Sequence, residues 1–327
     1  MNVLVIGLGS MGKRRIKLLR QLFSDLNIYG VETNDKRRFS VANEFGIEIY
    51  STVESALKRK KYNCAFVCSA PLSHAEIIRV CLVKGLNVFT ELNLVSDGYE
   101  DNISLAKEKD CTLFLSSTFL YREEVRFIIN RIRKSQFHLS YMYHVGQYLP
   151  DWHSWECYKD FFIGDRRTNG CREIFAIELP WLIKAFGHVK KFHIWRRNMS
   201  NLNLDYPDHY LVAIEHESGH WGQLSVDVVT QVPVRRLEVF GEDTQIYWYG
   251  VPEHLYVLDN GKMRKIDPLN QIERETGYRD FIVENAYIEE LREFFSACAG
   301  NTSALYDFSD DLYTLSLIDR FEQGDMS

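Results

Sequence analysis

The 327-residue chain lacks any run of about 18 consecutive apolar residues, the length that a membrane-spanning helix needs. No membrane span or membrane partner is therefore expected, and the N-terminus reads as a core strand rather than a signal peptide. Charge of one sign is also scarce. Lys and Arg number 39 against 45 Asp and Glu, a net −6 that does not favour a nucleic-acid partner. The basic clusters Lys13-Arg14-Arg15, Lys36-Arg37-Arg38 and Lys58-Arg59-Lys60-Lys61 read as solvated faces and helix ends. The seven cysteines contain no C-x-x-C pair, and Cys64, Cys68 and Cys81 lie in apolar segments. Such a set reads as reduced thiols of a cytoplasmic protein. Cys and His nowhere take metal-ligand spacing, so no metal site is expected. No internal repeat or low-complexity tract is visible.

What is present is a regular alternation. Hydrophobic residues make up 46% of the chain, ample for ordinary cores, and the length predicts about two domains. Over residues 1–120, strand candidates at 2–6, 27–31, 47–50, 64–68, 87–90 and 112–116 alternate with helical stretches near 12–23, 36–44, 51–58, 73–84 and 99–108. Strand–helix alternation specifies parallel βαβ units, so the fold class is α/β with an N-terminal doubly wound Rossmann sheet. The runs are continuously apolar, as in Cys64-Ala65-Phe66-Val67-Cys68, which fits strands buried on both faces.

The first strand runs straight into Gly7-Leu8-Gly9-Ser10-Met11-Gly12 and then a helix. In this G-x-G-x-x-G context Gly7 permits the turn, Gly9 lets backbone N–H groups approach a pyrophosphate, and Gly12 lets helix and strand pack closely. Ser10 and Met11 open the helix, whose N-terminal N–H groups attract phosphate. Glu32 ends the next apolar run at the spacing of a ribose-binding carboxylate. Ligands of such sheets sit beyond the carboxyl ends of the strands, which places Ser69-Ala70-Pro71 and Glu91 around the same cleft. The expected cofactor is NAD. NADP stays possible, because Lys13, Arg14 and Lys36 to Arg38 would offset the repulsion between Glu32 and a 2′-phosphate.

Residues 121–327 have a different texture. A helix near 121–133 precedes alternating strands at 138–147, 189–197, 208–216, 221–229, 234–240, 244–249 and 254–258. A long helix at about 172–186 contains Pro180, which should kink it locally, and a last amphipathic helix spans about 280–298. This predicts an α+β domain with a large, mostly antiparallel open sheet. Trp195, Trp221, Tyr247 and Trp248 would make its outer face aromatic, so pairing into a homodimer or homotetramer through that sheet is plausible.

Together these features resemble the Gfo/Idh/MocA oxidoreductase family over essentially the whole chain. The similarity begins at Gly7 to Gly12. It continues in Ser69-Ala70-Pro71-Leu72-Ser73-His74, similar to the family's t-P-x-x-x-H segment, and in Val88-Phe89-Thr90-Glu91-Leu92-Asn93-Leu94, where members read v-x-x-E-K-P-l. Tyr148 to Glu156 is similar to a substrate loop of one branch, and Gly170 to Gly187 to the family's long helix. The resemblance implies a hydride transfer between nicotinamide and a hydroxyl carbon of a sugar or sugar derivative, with Glu91 near the nicotinamide ribose and His74 in the cofactor segment. The departures are specific. Leu92 stands where members carry a catalytic lysine, and Asn93 where they carry proline. Glu173 holds the usual Asp position and Ile177 the usual His position, with Glu178 one step beyond.

A base or acid of near-neutral pKa must still serve the hydroxyl. The candidates are His153, Lys159, Glu173 and Glu178. Asn93, Tyr121, Arg122, Asp151, Trp152 and Tyr158 are the candidate substrate-binding residues, with Trp152 and Trp155 able to stack on a sugar face. Two alternatives stay open: a dinucleotide-binding sensor or partner subunit that has lost the chemistry, and a lyase or glycosidase type of enzyme that retains its NAD.

Overall fold

A computed structural model describes residues 1–152, 157–259, 261–268 and 284–324. The chain divides into two compact units, Met1–Ser117 with Tyr287–Leu312, and Thr118–Ala286 with Tyr313–Ser327. A single cut at residue 120 therefore does not describe the division, because a C-terminal segment is part of the first unit.

The first unit runs β1 (Asn2–Ile6), α1 (Ser10–Leu22), β2 (Asn27–Val31), α2 (Asp35–Phe45), β3 (Ile49–Tyr50), α3 (Val53–Arg59), β4 (Cys64–Val67), α4 (His74–Val83), β5 (Asn87–Thr90), α5 (Tyr99–Glu108) and β6 (Leu113–Leu115). All strand pairs are parallel, in the order β3-β2-β1-β4-β5-β6. The order reverses between β1 and β4, and there the glycine turn emerges. Fully buried Val3, Leu4, Val5, Ala65, Phe66 and Val67 explain the two central strands, since covering both faces demands continuous apolar runs.

The second unit begins with α6 (Glu123–Arg133), β7 (Ser140–Gly146) and α7 (Gly170–Phe186). It continues through β8 (Val189–Arg197), β9 (His209–His216), β10 (Trp221–Asp227), β11 (Val234–Phe240), β12 (Gln245–Trp248), β13 (Leu255–Asp259) and β14 (Lys262–Ile266). These form one eight-stranded sheet in the order β14-β13-β12-β11-β7-β10-β9-β8, antiparallel except for β7 with β10. The hairpin signal at Asp259 to Lys262 is followed by strand β14, which pairs antiparallel with β13 beyond the last strand expected at 254–258. A final helix α9 (Phe308–Gln323), which follows α8 (Glu284–Cys298), lies beyond the elements expected from sequence. The start expected for α8, 280–283, lies outside the described residues. Helix α7 continues through Pro180 without interruption.

The aromatic outer face needs one correction. Trp195 and Trp221 are exposed, at 48% and 61%, whereas Trp248 is fully buried. Strand side chains alternate, so Trp248 takes the face opposite its neighbour Tyr247, where it stacks against Tyr143 and meets Trp181 edge-on in the core.

Arg14 and Arg15 are also not solvated. They are 2% and 0% exposed. Burial alone would favour discharging Arg15, but Glu91 and Glu290 hold its pKa above the ordinary value. Its Nε donates to Glu91 Oε1 at 2.6 Å, and its Nη2 donates to Glu290 Oε2 at 2.7 Å and Ser116 Oγ at 3.2 Å. Glu290 also accepts from Ser116 Oγ and the Ser117 N–H. The Arg15 guanidinium lies over the Phe89 ring. Removing one member of a buried pair strands the other and costs about 3–5 kcal/mol. Arg15→Met should therefore lower unfolding stability by about that much in urea titration, and Arg15→Met with Glu290→Gln should recover part of the loss.

Candidate functional site

Strand β1 ends buried, and the chain must reverse at once into α1. Gly7 does this at φ +87°, in the region where L side chains are strained. A Cβ on Gly7 would meet Ser69 N at 2.7 Å, and one on Gly12 would meet Gly7 O at 2.0 Å. The turn, the end of β4 and α1 are therefore pressed together. Gly9 differs: a Cβ there would meet nothing within 4 Å. Its backbone faces open space at the N-terminus of a 13-residue helix whose cap position has no side-chain hydrogen bond. Ser10 and Met11 form the first helical turn, so this is an open cradle of backbone N–H groups suited to a phosphate.

Glu32, one residue beyond β2, is 4% exposed and sits against this turn. Its Oε2 accepts from the Leu8 N–H at 3.0 Å and from Arg37 Nη1 at 3.4 Å, and its Oε1 accepts from the Asn34 N–H at 2.9 Å. Arg38 Nη1 donates to the Glu32 carbonyl at 2.9 Å. A carboxylate is thus fixed beside the glycine turn with two arginines at its edge.

Beyond β4, Ser69 Oγ and Ser73 Oγ lie 2.8 Å apart, and Ala70-Pro71 begin a short turn of helix leading into α4. His74 is 2% exposed, and its burial lowers its pKa, which keeps the ring neutral. Its Nε2 lies 2.9 Å from the Ser69 carbonyl and its Nδ1 2.5 Å from the Asn93 amide oxygen. A neutral ring has one N–H, which goes to the Ser69 carbonyl, so Nδ1 must accept. Turning the Asn93 amide over lets its N–H donate to Nδ1, and gives a partner to Asn93 Nδ2, which otherwise has none among the described residues. His74 and Asn93, expected to bind cofactor and substrate, are buried against each other and brace the ends of β4 and β5. Glu91 is held by Arg15, with Cys68 Sγ donating to it at 3.8 Å.

In the second unit the two glutamates of α7 have opposite surroundings. Glu178 is 0% exposed and fully engaged. Its Oε1 accepts from Arg235 Nε at 2.9 Å and Nη2 at 2.7 Å, and its Oε2 accepts from Tyr143 Oη at 2.6 Å and Trp181 Nε1 at 2.8 Å. With both oxygens filled by core donors it is a structural counter-ion, not a group placed to exchange protons. Glu173 has no such set. Its Oε2 is sealed from solvent and without a hydrogen-bond partner among the described residues, and burial pushes its pKa up to about 7. Near-neutral ionisation is what general acid–base work requires.

The other predicted residues are dispersed. Tyr121 and Arg122 are buried, with Arg122 Nε donating to Glu124 and Nη2 to the Gly250 carbonyl. Tyr158 Oη donates to the Leu202 carbonyl at 2.9 Å. Lys159 is exposed, with its ammonium 5.9 Å from the centre of the Tyr158 ring, and Asp151 is exposed. Trp152 is half-buried, with its Nε1 sealed and without a hydrogen-bond partner among the described residues. His153 and Trp155 lie outside the described residues. Sequence reasoning missed Arg15, Glu290 and Arg235. The available signal was Arg15 lying next to Ile16 on the face of α1 that packs inward. No side chain fits at Gly12, so Gly12→Ala should abolish dinucleotide binding in calorimetry while the far-UV spectrum of the second unit's sheet persists.

Residues 1–117 match the family model of the Gfo/Idh/MocA oxidoreductases, described as an oxidoreductase family with an NAD-binding Rossmann fold. No curated protein sequence matches the chain. Three solved structures resemble it along nearly its full length. GenD2 from gentamicin A biosynthesis, in complex with NAD, is 17% identical, with 99% of this chain and 93% of that one covered and a TM-score of 0.79. An oxidoreductase from Agrobacterium radiobacter in complex with NAD+, L-tartaric acid and magnesium is 12% identical, with 99% and 96% covered and a TM-score of 0.81. The WlbA dehydrogenase from Bordetella pertussis, in complex with NADH and UDP-GlcNAcA, is 14% identical, with 99% and 95% covered and a TM-score of 0.77. The first 117 residues are therefore similar to the NAD-binding Rossmann domain of that family, and the chain as a whole shares the fold of these three structures.

Proposed function

We propose that the protein is an NAD(P)-dependent oxidoreductase of the Gfo/Idh/MocA type, acting on a hydroxyl carbon of a sugar or sugar derivative. The observation that carries this is Glu173, whose Oε2 is sealed and without a hydrogen-bond partner among the described residues and whose pKa burial pushes up to about 7, at the position where the family's long helix bears its acidic residue. In the first unit, Gly9, Ser10 and Met11 fit the pyrophosphate and Glu32 fits the adenosine ribose. The bound dinucleotide would supply a hydride acceptor, while the protein's own part is to orient the substrate and move the hydroxyl proton. Glu173 takes that role because Leu92 can neither donate nor accept a proton, and because Glu178 is committed to Arg235. The substrate class is supported by WlbA, crystallised with UDP-GlcNAcA, and by the UDP-N-acetylglucosamine 3-dehydrogenase GnnA of Acidithiobacillus ferrooxidans, 13% identical with a TM-score of 0.76. NAD is favoured over NADP because Glu32 offers a negative charge to the 2′ position. Exposed Trp195 and Trp221 support pairing of subunits through the open sheet.

Calorimetry with NAD, NADH, NADP and NADPH should show tight binding of the non-phosphorylated pair. Glu32→Ala should narrow the preference at least tenfold, and an unchanged preference would remove Glu32 from the ribose. Sugar oxidation should rise with pH through about 7 as Glu173 ionises. In Glu173→Gln the rate should fall at least a hundredfold and lose that pH dependence. Stability moves the opposite way. A carboxyl whose pKa is raised on folding contributes most below its unfolded pKa near 4.5, and the contribution is lost as pH rises through about 7. Glu173→Gln should therefore have the higher melting temperature at pH 8 but not at pH 4.

A further inference from the structure

The Glu32 carboxylate is nearly full before any ligand reaches it. A carboxylate offers about four acceptor sites. The Leu8 N–H and Arg37 Nη1 occupy both sites of Oε2, at 3.0 and 3.4 Å, and the Asn34 N–H takes one site of Oε1 at 2.9 Å. One site is left, whereas accepting from two ribose hydroxyls needs two. The backbone donors are fixed, one by the glycine turn and the other by the start of α2. Arg37 is not fixed: its bond is the longest of the three, and its side chain is 49% exposed. An exposed ion pair of that length is weak, so Arg37 is the donor that can leave. The neighbouring cations are committed elsewhere. Lys13 Nζ pairs with Glu44 at 2.6 Å, Arg14 is buried over the Tyr287 ring, and Arg15 is shared between Glu91 and Glu290. Arg38 donates to the Glu32 carbonyl and to Asp35. Lys36 is exposed, and the Glu32 carboxylate accepts nothing from it.

We infer that Arg37 reads the 2′ position of the dinucleotide together with Glu32, and lets the site accept NADP as well as NAD. This rests on the dinucleotide-binding reading above and adds a residue to it. For NAD, Arg37 leaves the carboxylate, and the freed site lets Glu32 accept from both ribose hydroxyls. For NADP, Arg37 turns to the 2′-phosphate, because a guanidinium presents paired N–H donors to phosphate oxygens. Its charge then offsets that of Glu32. NAD stays the tighter ligand, since a 2′-phosphate must still be brought beside a carboxylate. The two residues therefore pull the cofactor preference in opposite directions.

The test is calorimetric binding of NAD and NADP to the full-length protein, which needs no turnover. Arg37→Ala should weaken NADP at least tenfold while binding NAD as tightly as wild type or more tightly. Its retained NAD affinity also shows that the variant is folded. Glu32→Ala with Arg37→Ala should have a preference between those of the two single variants. Wild-type affinity for NADP should fall more steeply with added salt than that of Arg37→Ala, because an exposed charge contact is screened. If Arg37→Ala binds NADP as wild type does, or loses both cofactors alike, the proposal is overturned and the NAD assignment stands. The same holds if Lys36→Ala carries the loss instead, or if wild type binds NAD and no NADP at all. If neither dinucleotide binds wild type, the dinucleotide reading itself fails and this proposal fails with it.

Discussion

A charge taken out of water must find a counter-charge, and that constraint organises both units. In the first, the fully buried Arg15 guanidinium is shared between Glu91 and Glu290. One carboxylate comes from the end of β5 and the other from α8, about 275 residues along the chain. The pairing helps make Tyr287–Leu312 part of the first unit. Aromatic packing completes it: Phe294 meets Phe66, Phe89 and Phe114 edge-on, each within 6 Å between ring centres. Asp311 adds a second tie, accepting from the hydroxyls of Tyr99 and Tyr306.

The same constraint separates the two glutamates of α7. Five residues apart on one helix, they lie about 140° apart around it. Glu178 faces β7 and β11, where Arg235 and Tyr143 meet it, and its charge becomes part of the core. Glu173 faces away from that set, with burial but no cation, so its proton is held to near-neutral pH. Composition and spacing give both residues the same standing as candidates. Their difference comes from which partner the neighbouring strands deliver.

In the glycine turn, steric exclusion does the positioning. The near-contact of Gly12 with Gly7 and the left-handed φ of Gly7 leave the backbone one path. Gly9 alone opens outward. Glu32 then closes the turn by accepting from the Leu8 N–H, so its carboxylate acts as a local brace.

Local pattern alone determined the strand and helix order of the Rossmann half, its glycine turn and the position of Glu32, because apolar runs and glycine spacing are constraints between near neighbours. It also placed most of the open sheet. It could not assign the buried basic residues, since a lysine or arginine run on a helix reads as solvated until a distant carboxylate is brought against it. It put Trp248 on the wrong face, where one step of strand register inverts burial. It could not separate Glu173 from Glu178, nor show that His74 and Asn93 are spent on each other. Those outcomes belong to tertiary structure, because desolvation and pairing depend on groups tens to hundreds of residues away.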